Sequence, residues 1–288
     1  MKQKIIVLGA TGMLGSVVSK YLTIKDYDVK ALSSKDIDLE EPDAIFKLEG
    51  MIEKDTACII NCAGIIKPRI SSVYLEEKEL DPVFSVNSAF PIKMASMVNA
   101  LRIREYQVKL IHISTDCVFT GDSPGKYQTE DIPDASDTYG LSKFLGEACK
   151  SSGMVIRTSI IGEEKRNKYS LLEWMKSMKG DHVHGWTDHT WSGVTTLQLA
   201  KYIEDLIYKN TIYNVLVQYA SEPINKYELL CLINKVYDLN IDVHADEGGQ
   251  ICDRSLQLDT FGATKITDLE TQLIELKKFF EVHMNGNV

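Results

Sequence analysis

Short apolar runs alternate with longer amphipathic stretches over the first 160 residues. The apolar runs predict buried strands at 4–8, 29–32, 57–61, 109–114 and 154–157. The amphipathic stretches predict helices, most clearly at 13–24, 88–103 and 139–150. Strands that are apolar along their whole length are typical of a parallel sheet covered on both faces, and their alternation with helices indicates right-handed βαβ units. The pattern therefore predicts an α/β fold with a doubly wound parallel sheet.

The alternation becomes irregular after residue 162. Further helices are predicted at 170–178, 196–208, 226–237 and 269–282, with a strand at 212–217. We expect residues 1–158 to form one domain and residues 159–288 to form a smaller C-terminal lobe that binds substrate. Residues 196–217 are expected to return to the first domain.

A glycine-rich loop with the spacing G-x-x-G-x-x-G lies between the first predicted strand and the first predicted helix. Glycines at these positions let the backbone turn tightly and approach a pyrophosphate, which the N-terminus of the helix attracts. The sequence therefore predicts a Rossmann-type dinucleotide-binding domain. The cofactor contacts expected from this loop are Gly9, Thr11, Gly12, Met13, Leu14 and Gly15.

The end of the second strand bears on the choice of cofactor. An acidic residue commonly binds the free ribose hydroxyls of NAD at this point, whereas this chain has Ser33, Ser34 and Lys35. Two hydroxyls and a cation favour the 2′-phosphate of NADPH, and Asp36 keeps NADH as an alternative. The polar stretch that follows places Asp38 and Leu39 where they would contact the adenine.

A second motif, Tyr139 followed four residues later by Lys143, opens a predicted helix. Residues four apart share a helical face, and an ammonium beside a phenol lowers the pKa of the phenol. Thr115 ends the fourth strand, at the sheet edge where open α/β sheets bind ligands. These three residues are therefore the candidate proton-transfer site.

Composition and charge exclude several classes of function. The 288 residues include 32 basic and 41 acidic side chains, for a net charge of −9, which opposes nucleic-acid binding. No apolar stretch approaches the length of a membrane span, and no signal-peptide core follows Met1. The six cysteines form no CxxC pair, and the spacing of His182, His184 and His189 does not suggest a metal site. We expect a cytoplasmic protein with reduced thiols, no metal, and no membrane or nucleic-acid partner.

Taken together, the motifs resemble those of the extended short-chain dehydrogenase/reductases. Besides the glycine loop and the Tyr139–Lys143 pair, the likeness rests on Cys62, Ala63 and Gly64 after the third strand and on Asn87. Within that family the sequence is similar to the dTDP-4-dehydrorhamnose reductase branch. The segments that carry this second likeness are 114–119, Gly121, 127–133, 139–143, 146–147 and 157–159.

The resemblance implies NADPH-dependent reduction of the C4 ketone of a nucleotide-linked 4-keto-6-deoxyhexose, a step of deoxysugar nucleotide biosynthesis. It makes Tyr139 the general acid, with Lys143 lowering its pKa and holding the nicotinamide ribose. It assigns Thr115 to the substrate carbonyl, and Asp116 is a further candidate for substrate binding. It also implies that Cys62, Ala63, Gly64 and Asn87 support the cofactor, and it allows a homodimer.

Cys117 raises an alternative activity. In bifunctional 3,5-epimerase/4-reductases a cysteine stands two residues after the catalytic serine, and Cys117 stands two after Thr115. A nearby cation and a helix end would make it a thiolate base that epimerises a UDP- or GDP-linked sugar, which in some cases carries a 2-acetamido group. The opposing base would be Lys165, Arg166 or Lys168. A buried, inert thiol is the competing interpretation.

The C-terminal half departs from the rhamnose branch and supplies two further candidates. The segment 189–196 replaces the Gly-x-Pro-Thr pattern of that branch, so the base and the sugar stay open. Trp191 within it is a candidate to stack on the sugar or base, or a core residue. Arg254 is placed where related enzymes bind the nucleotide diphosphate. A non-catalytic nucleotide-binding regulatory subunit is the second alternative function, against which the retained Thr115, Tyr139 and Lys143 argue.

Overall fold

The computed structural model describes residues 2–67, 70, 82–123, 125–164, 170–259 and 266–284. The strands are β1 (Lys4–Leu8), β2 (Asp28–Leu32), β3 (Thr56–Asn61), β4 (Lys109–Thr115), β5 (Met154–Thr158), β6 (Ile160–Ile161), β7 (His182–Trp186), β8 (His189–Trp191), β9 (Val194–Thr195), β10 (Val215–Gln218), β11 (Ile224–Asn225), β12 (Asp242–Asp246) and β13 (Cys252–Asp253). The α-helices are α1 (Met13–Ile24), α2 (Ala44–Glu49), α3 (Phe90–Ile103), α4 (Thr138–Gly146), α5 (Leu171–Ser177), α6 (Thr196–Tyr208), α7 (Lys226–Tyr237) and α8 (Leu269–Phe279).

Six strands form one parallel sheet in the order β2-β1-β3-β4-β5-β10. The predicted doubly wound parallel sheet is therefore confirmed. The strand order reverses at β1, which lies between β2 and β3, so the connections that leave β1 and β3 diverge to opposite faces. Such a switch point opens a crevice beyond the carboxyl ends of the strands.

Both faces of the sheet are buried, because side chains alternate across each strand. In β1, Ile5 and Val7 join the core beneath α1, α6 and α8. Ile6 and Leu8 join the second core, which α2 and α3 cover. This two-sided burial explains why the strands are apolar throughout rather than alternating in polarity.

The C-terminal half builds small sheets around the end of the main one. Strand β8 lies between β11 and β13, β7 pairs with β12, and β6 pairs with β9. Strand β10 instead hydrogen-bonds to β5 in the main sheet, and α6 packs on α1. The division near residue 158 stays a prediction. None of the helices in the described ranges combines the length and the apolar character needed to cross a membrane.

Candidate active site

Three adjoining cavities form one groove along the carboxyl ends of the strands. The first, of about 440 Å³, lies between the loops after β1, β2 and β3. The second, of about 410 Å³, shares Thr11 and Gly12 with the first and reaches the end of β4. The third, of about 590 Å³, shares Asp116 and Cys117 with the second and extends among the small sheets. A long ligand is therefore able to lie continuously from the glycine loop to the C-terminal half.

The glycine loop has no room for side chains. Gly9 adopts a φ of +72°, and a Cβ there would lie 2.8 Å from the backbone of Ala63. A Cβ on Gly15 would lie 2.2 Å from the carbonyl oxygen of Gly9. Gly12 begins α1 without a side-chain cap, so the first backbone N–H groups of that helix face the groove without an internal acceptor. The loop is thus shaped for an anionic group held by backbone donors.

The residues predicted to choose the cofactor line the first cavity, except Lys35. Ser33, Ser34, Asp38 and Leu39 lie on its wall. The Asp36 carboxylate accepts hydrogen bonds from the backbone N–H and hydroxyl of Ser33, at 2.8 and 2.7 Å, and these bonds lower its pKa. Asp36 therefore turns back onto its own loop, while Ser34 and Lys35 are exposed.

Asn87 ties the loop after β3 to α4. Its side-chain oxygen accepts from the N–H of Ile65 at 2.8 Å, and its amide donates to Ile65 O at 2.9 Å and to the Ser142 hydroxyl at 3.1 Å. It is fully buried and is not among the residues lining the three cavities. Cys62, Ala63 and Gly64 do line the groove. Asn87 therefore acts on the groove through the loop.

Asn61 and His112 also fix the loop after β3, and neither residue was identified from the sequence. The Asn61 side-chain oxygen accepts from the N–H of Ala63 at 3.1 Å, and its amide donates to His112 Nδ1 at 3.0 Å. Burial, reinforced by the charge of Lys143, lowers the pKa of His112 well below its usual value, so the imidazole is neutral. Two buried polar side chains thus fix the turn after β3.

Thr115 and Tyr139 line the second cavity, beside Asp116 and Cys117, which that cavity shares with the third. The Thr115 hydroxyl donates to the Asp116 carboxylate at 3.0 Å and accepts from the N–H of Cys117 at 3.1 Å. It also hydrogen-bonds the Tyr139 phenol. Burial is the main reason that the pKa of Tyr139 lies above its usual value, so the phenol is protonated at neutral pH.

Lys143 projects from α4 toward β4. Its ammonium donates to the carbonyl of Ile113 at 2.7 Å, and burial lowers its pKa to about 8. From the sequence we expect Lys143 to lower the pKa of Tyr139. In the structure that pKa is raised instead, because burial outweighs the contact with Thr115, which lowers it.

Cys117 lies at the boundary of the second and third cavities but is not the predicted thiolate. Burial raises the pKa of its thiol to about 12, and Asp116 raises it further. Lys67 and Arg254 lower that pKa, but their effect is smaller. Of the two interpretations, the raised pKa favours the buried thiol, because desolvation exceeds the attraction of the nearby cations. Its proposed partner bases, Lys165, Arg166 and Lys168, lie outside the described residues.

A buried ion pair supports the end of β4. Glu147 accepts from Arg157 Nε at 2.8 Å and from Arg157 Nη2 at 2.7 Å, and both side chains are 3% exposed. Ser114 donates to the same carboxylate at 2.6 Å. This bidentate arrangement joins α4 to β4 and β5 directly behind Thr115.

The third cavity collects side chains from distant segments. Trp191 is 6% exposed, and its indole N–H donates to the Ser159 hydroxyl at 2.8 Å, so it packs in the core and presents one part to the cavity. Arg254 Nε donates to the carbonyls of Phe119 and Thr120 at 2.9 and 3.1 Å. The sequence did not reveal the other wall residues named here, which are Trp186, His189, Lys226 and Ile251.

Potential metal ligands are dispersed in the part of the chain that the structure describes, which holds no group of three or more such side chains. The histidines considered from the sequence pair with aspartates instead. His182 lies 3.0 Å from Asp181, and His189 lies 2.9 Å from Asp188.

Comparisons with known proteins give a consistent family. The model of the RmlD substrate binding domain matches residues 3–244. A dTDP-4-dehydrorhamnose reductase of Mycolicibacterium smegmatis is 32% identical over 166 residues, which cover 55% of this chain and 46% of that protein. One from Aggregatibacter actinomycetemcomitans is 27% identical over 232 residues, covering 76% and 74%. The match thus spans less than half the length of the first relative.

A solved structure agrees with this fold. The dTDP-4-dehydrorhamnose reductase of Bacillus anthracis, crystallised in complex with NADP, has a TM-score of 0.80 and 22% identity. The superposition covers 96% of this chain and 99% of that one. The architecture is therefore shared over nearly the whole length.

Proposed function

The chain belongs to the family of the RmlD substrate binding domain, and we propose that it reduces the C4 ketone of a nucleotide-linked 4-keto-6-deoxyhexose with NADPH. The predicted resemblance to the dTDP-4-dehydrorhamnose reductases is confirmed by that match. The observation that carries the proposal is that Thr115 and Tyr139 line the same cavity as Gly12 of the glycine loop, next to Asp116 and Cys117, which also line the third cavity. The same placement disfavours a non-catalytic regulatory subunit.

The groove fits a dinucleotide. Gly9 and Gly12 line the groove, and Gly15 lets α1 pack closely against the Gly9 carbonyl beneath them. The uncapped N-terminus of α1 supplies donors for a pyrophosphate. When bound, NADPH supplies the hydride that reduces the ketone. Ser34 and Lys35 are free to bind a 2′-phosphate, and the Bacillus anthracis relative was crystallised with NADP. Asp36 is the residue that would bind the ribose hydroxyls of NADH. Its carboxylate already accepts two hydrogen bonds from Ser33, so NADH is the weaker alternative.

Thr115 and Tyr139 would hold the substrate ketone in the second cavity. The Thr115 hydroxyl donates a hydrogen bond to the carbonyl oxygen, which develops negative charge during reduction. Tyr139 then transfers its phenolic proton to that oxygen. Its raised pKa suits this direction, because the phenol holds its proton until an alkoxide, a much stronger base, forms beside it.

Lys143 acts after the proton has moved. A pKa of about 8 leaves its ammonium mostly charged at pH 7, although it is buried. This charge stabilises the phenolate that Tyr139 becomes. Its bond to the Ile113 carbonyl aims the ammonium along the edge of β4, where it also lines the second cavity.

The proposal extends to the division of the chain, its oligomer and its compartment. Residues 1–158, with 196–217, hold the cofactor, and the remainder of the chain holds the sugar nucleotide; the packing of α6 and β10 on the main sheet supports this. Exposed apolar side chains on α4, namely Leu141, Phe144 and Leu145, suit a homodimer contact. All six cysteines are free thiols, as expected in the reducing cytoplasm.

Replacement of Tyr139 by Phe tests the proposal. Ketone-dependent NADPH oxidation should fall by about 10²- to 10⁴-fold, because the phenolic proton is lost while the ring still fills its site. NADPH binding, followed by fluorescence, should stay within about threefold of wild type. Tyr208→Phe is the matched control, since that ring is 77% exposed and lies outside the groove. Unchanged turnover in Tyr139→Phe would refute the mechanism.

A further inference from the structure

Lys226, the first residue of α7, faces the third cavity. Its ammonium lies 5.6 Å from the centroid of the Trp191 ring, and Arg254 is on the wall of the same cavity. The sequence offered no reason to single it out, because it lies about 110 residues from the catalytic segment. The fold brings it next to Asp116 and Cys117.

The position of Lys226 is electrostatically unfavourable. The first turn of a helix carries partial positive charge, which repels a cation. Burial lowers the pKa of its ammonium, and the nearby Asp116, Cys117 and Cys252, which raise that pKa, do not compensate for the burial. Arg254 lowers it by a smaller effect. In the described ranges no carboxylate lies within 4.0 Å of the ammonium, and it donates no hydrogen bond. The cation–π contact with Trp191 offsets only part of this cost.

Arg254 is a second cation without an ion-pair partner among the described residues. Its Nε donates to two backbone carbonyls and its Nη1 donates to the Cys117 sulfur at 4.0 Å, and the residue lines the cavity. The cavity wall also contains Asp116, engaged by Thr115, and the exposed Asp122. Neither carboxylate forms a salt bridge with Arg254 or Lys226 in the described part of the structure. The two cations are therefore available to a ligand.

We propose that Lys226 contacts the diphosphate of the substrate beside Arg254, the residue that the family resemblance already assigns to that group, and that Lys226 sets the preference for a nucleoside diphosphate over a monophosphate. This inference rests on the proposed function, since the ligand is the sugar nucleotide of that reaction. Two cations on one cavity wall match an anion that carries two or more charges over adjacent phosphates. A planar guanidinium binds one phosphate with a fixed geometry, while the flexible lysine reaches the other.

Calorimetric titration with nucleotides tests this assignment without turnover. Protein saturated with NADP⁺, which blocks the cofactor end, is titrated with dTDP, UDP and GDP and with the corresponding monophosphates. For the base that binds, Lys226→Met should weaken diphosphate binding by about 10-fold or more, and monophosphate binding by about threefold or less. Lys226→Arg should stay within about threefold of wild type. Lys235→Met removes a charge from the same helix outside the groove, where Lys235 pairs with Glu270, and should change neither affinity.

The thermal midpoint of Lys226→Met should equal or exceed that of wild type, because a poorly placed charge is removed. Equal diphosphate affinity in Lys226→Met and wild type would overturn the assignment. So would an equal loss for diphosphate and monophosphate. Failure of the reductase proposal shows separately, as a lack of ketone-dependent NADPH oxidation in a protein whose nucleotide binding still depends on Lys226.

Discussion

The two ends of the groove are built in different ways. At the cofactor end the backbone forms the surface, through Gly9, Gly12 and the N-terminus of α1, with Gly15 packed beneath them, all within a span of seven residues. At the substrate end side chains form the surface, and they come from segments more than 130 residues apart, between Asp116 and Arg254. Local sequence therefore specifies the first end, whereas the tertiary fold assembles the second.

This difference implies different responses to substitution. A backbone surface has no tolerance for added atoms, so a single methyl group should remove binding altogether. A side-chain surface distributes its binding energy over several groups, so each substitution should cause a graded loss. The following predictions test this contrast, from the largest effect to the smallest.

Gly15→Ala should have the largest effect. Its Cβ would lie 2.2 Å from the Gly9 carbonyl oxygen and 2.7 Å from the Gly9 carbonyl carbon, so α1 has to shift away from the loop. We expect kcat/KM for NADPH to fall by about 10³-fold or more, which corresponds to about 4 kcal/mol. Nucleotide binding at the substrate end, measured by calorimetry, should change by less than about threefold. Gly50→Ala is the control, because a Cβ there meets neighbours at 3.6 Å. Normal NADPH kinetics in Gly15→Ala would show that the glycine loop tolerates added atoms, and the contrast between the two ends of the groove would no longer hold.

Glu147→Gln tests the buried Glu147–Arg157 ion pair, which supports the end of β4 between the two ends of the groove. The substitution leaves the buried Arg157 without its anion, which typically costs about 3–5 kcal/mol. We expect urea unfolding to show a loss of that size, with activity reduced for both substrates because Ser114 and the end of β4 lose their anchor. A matched removal of the exposed Glu49–Arg104 pair, by Glu49→Gln, should cost less than about 1 kcal/mol. Similar losses in the two variants would contradict this account of the pair.

Arg254→Met should produce a graded loss confined to the substrate end. Its charge-assisted bonds to phosphate are worth about 1.5–3 kcal/mol, so KM for the sugar nucleotide should rise by about 10- to 100-fold. The KM for NADPH should stay within about twofold, and steady-state kinetics with each substrate varied in turn separates the two. An equal rise in both values would show that the ends are not independent.

The pH dependence should report Lys143 with the smallest effect. Above a pKa of about 8 its ammonium loses the proton, so kcat/KM should fall about 10-fold per pH unit between pH 8.5 and 10. Tyr139 keeps its proton across this range because its pKa is raised, so it does not add to the decline. Lys143→Arg, which stays charged, should lose the alkaline decline even if its activity is low. If kcat/KM of the wild type stayed constant up to pH 10, the charge on Lys143 would not contribute to the reaction.

The same contrast explains what could be predicted from the sequence. The glycine loop and the strands carry local patterns, and Tyr139 and Lys143 lie one helical turn apart, so their spacing is informative. Trp186 and Lys226 have no such spacing, because only long-range packing brings them to the third cavity. The sequence left the protonation of Cys117 open and did not predict the raised pKa of Tyr139, because burial sets both and burial is a property of the fold.

Transfer of deuterium tests the central claim most directly. The protein is incubated with NADPH deuterated at the transferable C4 position of the nicotinamide and with a panel of 4-keto-6-deoxyhexose nucleotides. Product analysis by mass spectrometry and NMR should find one deuterium, located at C4 of the sugar, for at least one member of the panel. Tyr139→Phe should abolish this transfer while still binding both ligands. NADPH oxidation without label at C4, or no oxidation with any member of the panel, would contradict the account.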